Sequence, residues 1–184
     1  KKINDLFEDF SMPHEMIPEL ANFCKQQNIL FMSTPFSISD AIAIDPFVEI
    51  HKIASFEIID LPLVKYAAET GKPLILSTGM ANANEIEEAV VTAKEAGCKE
   101  LALLHCVSAY PAYAEDYNLN TISDMKARFG LVTGLSDHTI ENTTAITSIA
   151  LGASIIEKHV TLDKNGNGPD DSFSLEMLEL KELC

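Results

Sequence analysis

Short runs of Ile, Leu and Val alternate along the chain with longer stretches whose apolar residues recur every three or four positions. The short runs begin near Ile29, Glu49, Pro73, Leu101, Leu131 and Ser154, 20–30 residues apart. Two of them, LILS (74–77) and LALLHC (101–106), are almost continuously apolar, as expected of strands covered on both faces. The longer stretches carry helix punctuation. Pro13 suits a first turn before Met16, Ile17, Leu20 and Phe23, and Pro62 suits another that Gly71 ends. Ala83 to Ala96 places Ile86, Ala89, Val90 and Ala93 on one face before Gly97, and Ile140 to Leu151 precedes Gly152. The alternation predicts six parallel strands with helical crossovers. Periodicity does not separate a closed barrel from a doubly wound sheet. No GxGxxG follows a strand, which weighs against a dinucleotide-binding fold. No linker-like segment interrupts residues 1–184, which read as one domain.

Composition narrows the function classes. Hydrophobic residues make up 47% of the 184, and the mean hydropathy is +0.09, a globular balance. No apolar run reaches the roughly 18 residues of a membrane span, and no signal-peptide pattern is visible, although the first residue is not Met. A net charge of −15 argues against a nucleic-acid partner, which needs clustered Lys and Arg. Cys24, Cys98, Cys106 and Cys184 lack CxxC spacing and read as reduced, buried thiols of a cytoplasmic protein.

The chemistry-bearing residues gather at the C-terminal ends of the predicted strands: Ser33 and Thr34, Lys52 and Ser55, Ser77 and Thr78, His105 and Ser108, Ser136 to His138, and Glu157 to His159. In parallel α/β folds that edge binds ligands. Strand alternation points Ser136 with His138, and Glu157 with His159. Two imidazoles from successive strand ends, 21 residues apart, can meet in one mouth. With an adjacent carboxylate they can hold a divalent metal and leave positions open for substrate. The plainer reading is that each is a hydrogen-bonded rim residue.

FMSTPF (31–36), KIASFEI (52–58), LILSTGMA (74–81), LLHCVSAYPA (103–112), GLSDHT (134–139), IEKHVTLD (156–163) and GPDDSFSLE (168–176) follow one another in a set order. On these stretches the chain resembles the sialic acid synthase family, and the KIASF wording is most like its pseudaminic acid synthase branch. The resemblance implies a TIM-type (β/α)8 barrel, of which this chain would be the third to eighth βα units. It implies condensation of phosphoenolpyruvate with the aldehyde of an N-acetylated amino sugar, giving a nine-carbon 2-keto sugar acid and phosphate. The N-acetylneuraminate and spore-coat polysaccharide types of the same family are the nearest alternatives, and a catalytically silent binding barrel is the non-enzyme one. A divalent metal, Mn2+ ahead of Mg2+ or Co2+, is carried onto His138 and His159. Phosphoenolpyruvate contacts are carried onto Lys52, Ser55, Ser77, Ser108, Ser136 and Thr34, and sugar contacts onto Glu57, Tyr110 and Asp170; the helix after Ser77 is expected to add N-terminal amides for the phosphate and carboxylate. Water must add during the reaction, and Glu157 and Glu57 are the candidate carboxylates to orient or deprotonate it. A homodimer is implied, as are two βα units before this stretch and an antifreeze-like domain after it. Six strands would leave such a barrel unclosed, so the chain is expected to be a fragment, poorly soluble and inactive alone.

Each assignment has a plainer counterpart. Lys52 suits a solubilising strand-end charge, and Glu57 and Asp170 suit helix caps or loop carboxylates. Ser77-Thr78-Gly79 suits turn chemistry, and Tyr110-Pro111 a rigid loop. His105, in an apolar strand, reads as a satisfied core histidine, and His14 and His51 as structural or surface groups.

Overall fold

The computed structural model describes residues 12–184. Five strands, β1 (His51–Ile53), β2 (Leu74–Ser77), β3 (Leu101–Cys106), β4 (Val132–Asp137) and β5 (Ile156–Lys158), form one parallel sheet in the order β1-β2-β3-β4-β5. The helices are α1 (Ile17–Gln26), α2 (Ile38–Ile44), α3 (Leu61–Glu69), α4 (Ala83–Glu95), α5 (Asn120–Phe129), α6 (Thr143–Ala150) and α7 (Met177–Leu183). Strand order never reverses, so the sheet has none of the switch points that define a doubly wound fold. None of the described helices is long and apolar enough to cross a membrane.

The sheet is strongly curled. A flat five-stranded sheet would hold its outer strands about 19 Å apart, four spacings of about 4.8 Å. Instead Lys52 of β1 and Glu157 of β5 bring their charged atoms to 3.4 Å. The arrangement is half of a barrel, with helices on the convex side.

The first of the six predicted strands, near Ile29, is not a strand. Residues 29–35 have no regular secondary structure and pair with no described strand, and Ile29 and Leu30 stay exposed. A ladder needs a partner as well as an apolar run. The predicted helix ends are closer. Asp60 caps α3 through Leu63 N–H, Asn82 and Glu85 form a reciprocal capping box on α4, and α6 starts at Thr143 rather than Ile140. All four cysteines are free thiols, but only Cys98 and Cys106 are buried; Cys24 is half-buried and Cys184 exposed.

Packing divides the sheet's two faces. Leu74, Leu76, Leu101 and Leu103 on the convex face pack against Leu63, Val64 and Ala67 of α3 and Ile86, Ala89 and Val90 of α4. The concave face changes character along each strand. Its lower level is apolar, with Ile50, Ile75, Ala102, Leu104 and Ile155. Two residues further on, the same face presents Lys52, Ser77, Cys106 and Glu157, and β4 joins with Ser136. Gly134, beneath Ser136, has no room for a side chain: an added Cβ would lie 2.4 Å from Ile155 O. Its absence lets β5 close onto β4 and deliver Glu157 to the mouth.

Candidate active site

Lys52 stands at the centre of the concave mouth and is 4% exposed. Its ammonium donates to Ser77 Oγ at 2.8 Å and Ile53 O at 3.3 Å, and faces Glu157 Oε2 at 3.4 Å. Ser136 Oγ donates to Glu157 Oε1 at 2.7 Å. Ser136 and Glu157 are register partners, so strand pairing itself aligns them. Ser55, beyond β1, accepts from Gly79 N–H at 3.1 Å. An added Cβ on Gly79 would lie 2.7 Å from Ser108 Oγ, so glycine lets the loops after β1, β2 and β3 converge. One buried cation, four hydroxyls and a backbone amide thus share a small volume. The expectation that the helix after Ser77 supplies free N-terminal amides fails for the start of α4: Asn84 and Glu85 N–H donate to Asn82 Oδ1, and Asn82 N–H donates to Glu85 Oε2.

Glu57 sits in a single 3-10 turn after β1. Burial pushes its carboxyl upward against the opposing pull of Lys52. Its Oε2 is buried without a protein hydrogen-bond partner. A carboxylate held this way has unused acceptor capacity facing a cation.

His138 and His159 meet across β4 and β5, with ring centroids 5.3 Å apart and planes at 74°. His138 Nδ1 lies 2.7 Å from Val107 O, which can only accept, so Nδ1 carries the proton and Nε2 keeps a free lone pair. Burial lowers the His138 imidazole's affinity for a second proton, with His159 adding to that effect. His159 Nδ1 lies 3.3 Å from Asp170 Oδ2. Tyr110 lies over His138 at 4.1 Å between centroids and contacts His159 edge-on at 5.8 Å. Its phenol is pushed up to about 12, chiefly by burial and secondarily by Cys106 and nearby carboxylates including Asp170, Glu157 and Glu57. Phe173 backs His159 at 5.2 Å.

A neutral imidazole with a free lone pair beside a second imidazole suits a divalent transition metal. The pair supplies two protein ligands; among the described residues no group of three His, Cys, Asp or Glu side chains is assembled for a metal. Such a centre would keep open positions.

The structure therefore gathers Lys52, Ser55, Ser77, Ser136, Glu157, His138, His159, Tyr110 and Asp170, with Glu57 and Ser108 at the rim. Thr34 is half-buried on the unpaired segment before α2, and no hydrogen bond among the described residues ties it to the cluster. His105 is a satisfied core histidine, its Nε2 on Tyr117 O. His51 is fully buried and paired with Asp45 at 2.8 Å, at the far end of β1.

Three features were missed. Tyr117 is fully buried with its hydroxyl between Ser136 O and His138 N. Asp137 and Lys158 form a buried ion pair at 2.7 Å behind the two histidines. Asp45 gathers Lys72 as well as His51. For the second, the signal was present: opposite charges immediately precede His138 and His159.

Curled parallel sheets with polar strand ends are enzyme scaffolds whose ligands bind at that mouth. The chain belongs to the NeuB family, which it matches over residues 1–184. It is 46% identical over 169 residues to an N,N'-diacetyllegionaminic acid synthase of Campylobacter jejuni, covering 90% of this chain and 51% of that protein. It is 38% identical over 185 residues to a pseudaminic acid synthase of Helicobacter pylori, covering 100% and 54%. Among solved structures, the N-acetylneuraminic acid (sialic acid) synthetase of Leptospira borgpetersenii, crystallised with citrate, superposes with a TM-score of 0.90 at 38% identity, covering 94% of this chain and 61% of that one. The chain spans about half the length of the curated relatives it matches.

Proposed function

We propose that this chain carries the central catalytic portion of a phosphoenolpyruvate-dependent sugar acid synthase on a TIM-type (β/α)8 barrel, to which the described sheet contributes five strands. The observation that carries the reading is one mouth holding a buried lysine among serine hydroxyls beside a pair of histidines. The reaction joins C3 of phosphoenolpyruvate to the aldehyde carbon of an N-acetylated amino sugar. Water adds at C2, phosphate leaves, and a nine-carbon 2-keto sugar acid results.

Lys52, Ser55, Ser77, Ser108 and Ser136 suit the donor's phosphate and carboxylate, with Thr34 an outlying contact. An ammonium and oriented hydroxyls make charge-assisted bonds to such oxygens. Glu157, held by Ser136 and Lys52, is poised to orient or deprotonate the water. Glu57, with its carboxyl raised by burial, suits the sugar or a proton transfer at the same centre. Tyr110 and Asp170 flank the histidines where the sugar would lie. His138 and His159 would hold the divalent ion, Mn2+ ahead of Mg2+ or Co2+. When bound, that ion supplies Lewis-acid stabilisation of negative charge on the aldehyde oxygen. A homodimer in which an antifreeze-like domain completes the mouth belongs to the same proposal.

For the acceptor, the pseudaminic type rests on the KIASF wording. The 46% identity to the diacetyllegionaminic synthase favours a second reading with a differently configured diacetylated sugar. The test is phosphate release and product mass analysis of the full-length protein with phosphoenolpyruvate, Mn2+ and a panel of N-acetylated amino sugars. Release with one sugar supports the reading and identifies the acceptor. No release with any sugar, from folded metal-loaded protein, would sink it.

A further inference from the structure

Tyr117 lies one residue beyond the 3-10 turn Ala114–Asp116 and is fully buried, although the loop around it is exposed. Its ring packs among Ile122, Leu135 and Ala153. Its hydroxyl accepts from His138 N–H at 2.7 Å and donates to Ser136 O at 3.3 Å. A phenol is protonated at neutral pH and can both donate and accept.

Strand β4 ends at Asp137, so the His138 amide lies beyond the parallel ladder. A buried N–H without a partner is costly, and the Tyr117 hydroxyl takes the place of the missing strand. The rest of the β3–α5 segment grips the same residue. Val107 O takes His138 Nδ1–H, Ala112 N–H donates to His138 O at 3.0 Å, and Tyr110 covers the ring. His105 in turn anchors Tyr117, through Nε2 on its carbonyl and an edge-on ring contact at 5.9 Å. Neither Tyr117 nor His105 faces the mouth.

We infer that Tyr117 is a positioning residue: its hydroxyl clamps the backbone between Ser136 and His138, fixing the donor-pocket serine and the metal-binding imidazole in one geometry, with His105 as its anchor. The inference rests on the reading of His138 as a metal ligand. Outer-shell partners of metal-binding histidines are worth roughly tenfold to hundredfold in affinity. Acting through the backbone, the Tyr117 hydroxyl belongs at the lower end, about tenfold.

The experiment titrates the metal-free full-length protein with Mn2+ by electron paramagnetic resonance and with Co2+ by visible absorption. Wild type, His138→Ala and Tyr117→Phe are compared. Phenylalanine keeps the ring and deletes only the hydroxyl. The expected result is Mn2+ binding to wild type, its loss in His138→Ala, and about tenfold weaker binding with shifted Co2+ bands in Tyr117→Phe. A purely structural role would lower the melting temperature without moving the Co2+ bands. Unchanged affinity and bands in Tyr117→Phe, with His138→Ala impaired, overturn the inference and leave the metal reading standing. Equal binding by wild type and His138→Ala overturns the metal reading, and the inference with it. Should Tyr117→Phe fail to fold, amide exchange of His138 in the metal-free wild type decides. Slow exchange beyond the end of β4 supports the clamp, and loop-like exchange overturns it.

Discussion

Lys52 on the first strand and Glu157 on the last lie at opposite edges of the sheet, yet their charged atoms are 3.4 Å apart inside it. The pair reports the curl of the sheet and defines the mouth at once. Glu157 is half-exposed and also held by Ser136, so it does not depend on Lys52 for its place. Lys52 is buried, with Ser77 its only hydroxyl partner among the described residues. Its ammonium thus brings a buried positive charge to the mouth, balanced in part by Glu157. Replacing Lys52 by Met in the full-length protein should weaken phosphoenolpyruvate binding by about 1.5–3 kcal/mol, the worth of a charge-assisted hydrogen bond. Steady-state kinetics should show a raised Michaelis constant for that donor and little change for the sugar. An unchanged donor constant would remove Lys52 from the pocket.

The histidine pair gives a second expectation. Each ring offers one nitrogen to the mouth, and no third His, Cys, Asp or Glu is grouped with them among the described residues. Loss of either should therefore be severe. His159→Ala should reduce Mn2+ affinity by more than the roughly tenfold to hundredfold expected for an outer-shell partner. Asp170→Asn, which touches His159 at 3.3 Å, should cost less. Calorimetric titration of metal-free protein measures both, and equal losses would show that Asp170 is itself a ligand.

The alternation of apolar runs and helical stretches made the parallel sheet legible, because both signals are local. The concave face was legible for the same reason: Ser136 with His138 and Glu157 with His159 follow from a period of two. The strand near Ile29 was misread, since an apolar run shows what could pair and not whether a partner is there. Contacts that depend on distant loops were also hidden. Tyr117 sits in a loop with no periodicity to read, and its contact with His138 spans 21 residues that include α5 and β4. The amides at the start of α4 were expected to serve a ligand, and the Asn82–Glu85 capping box uses them instead.

Glu57 makes stability depend on pH in an unusual direction. Burial raises its carboxyl, so the folded protein binds that proton more tightly than the unfolded chain does. At pH values below the ordinary carboxylate range both states are protonated, and Glu57 carries no penalty. As pH rises through the folded value, the folded state must ionise a carboxyl whose Oε2 has no partner, and stability falls. Glu57→Gln should therefore raise the melting temperature of the substrate-free protein at pH 7, and the gain should vanish as pH falls toward the ordinary carboxylate range. Thermal melts across that interval test the sign. A variant less stable at pH 7 would show that Glu57 gains more from Lys52 than burial takes away.

Asp137 and Lys158 lie directly behind the two histidines. They are register partners on the convex face, 2.7 Å apart, and each side chain is nearly inaccessible. Lys158 also donates to Thr139 O at 2.7 Å and Glu141 O at 3.0 Å, and Asp137 accepts from Thr139 N–H and Oγ1. The pair thereby ties the segment after His138 onto β5. Removing one partner leaves the other charge buried and unpaired, which costs about 3–5 kcal/mol, whereas removing both charges is often nearly neutral. Lys158→Met alone should destabilise the full-length protein by about that amount. Asp137→Asn combined with Lys158→Met should recover most of the loss, because asparagine keeps an oxygen for Thr139 N–H and adds an amide donor for Thr139 O. Chemical denaturation of the single and double variants gives the coupling directly. If the pair also sets the spacing of the histidines, the double variant should regain stability while its Mn2+ affinity stays below wild type. Recovery of both would mean that the strands place His138 and His159 without help from the charges behind them.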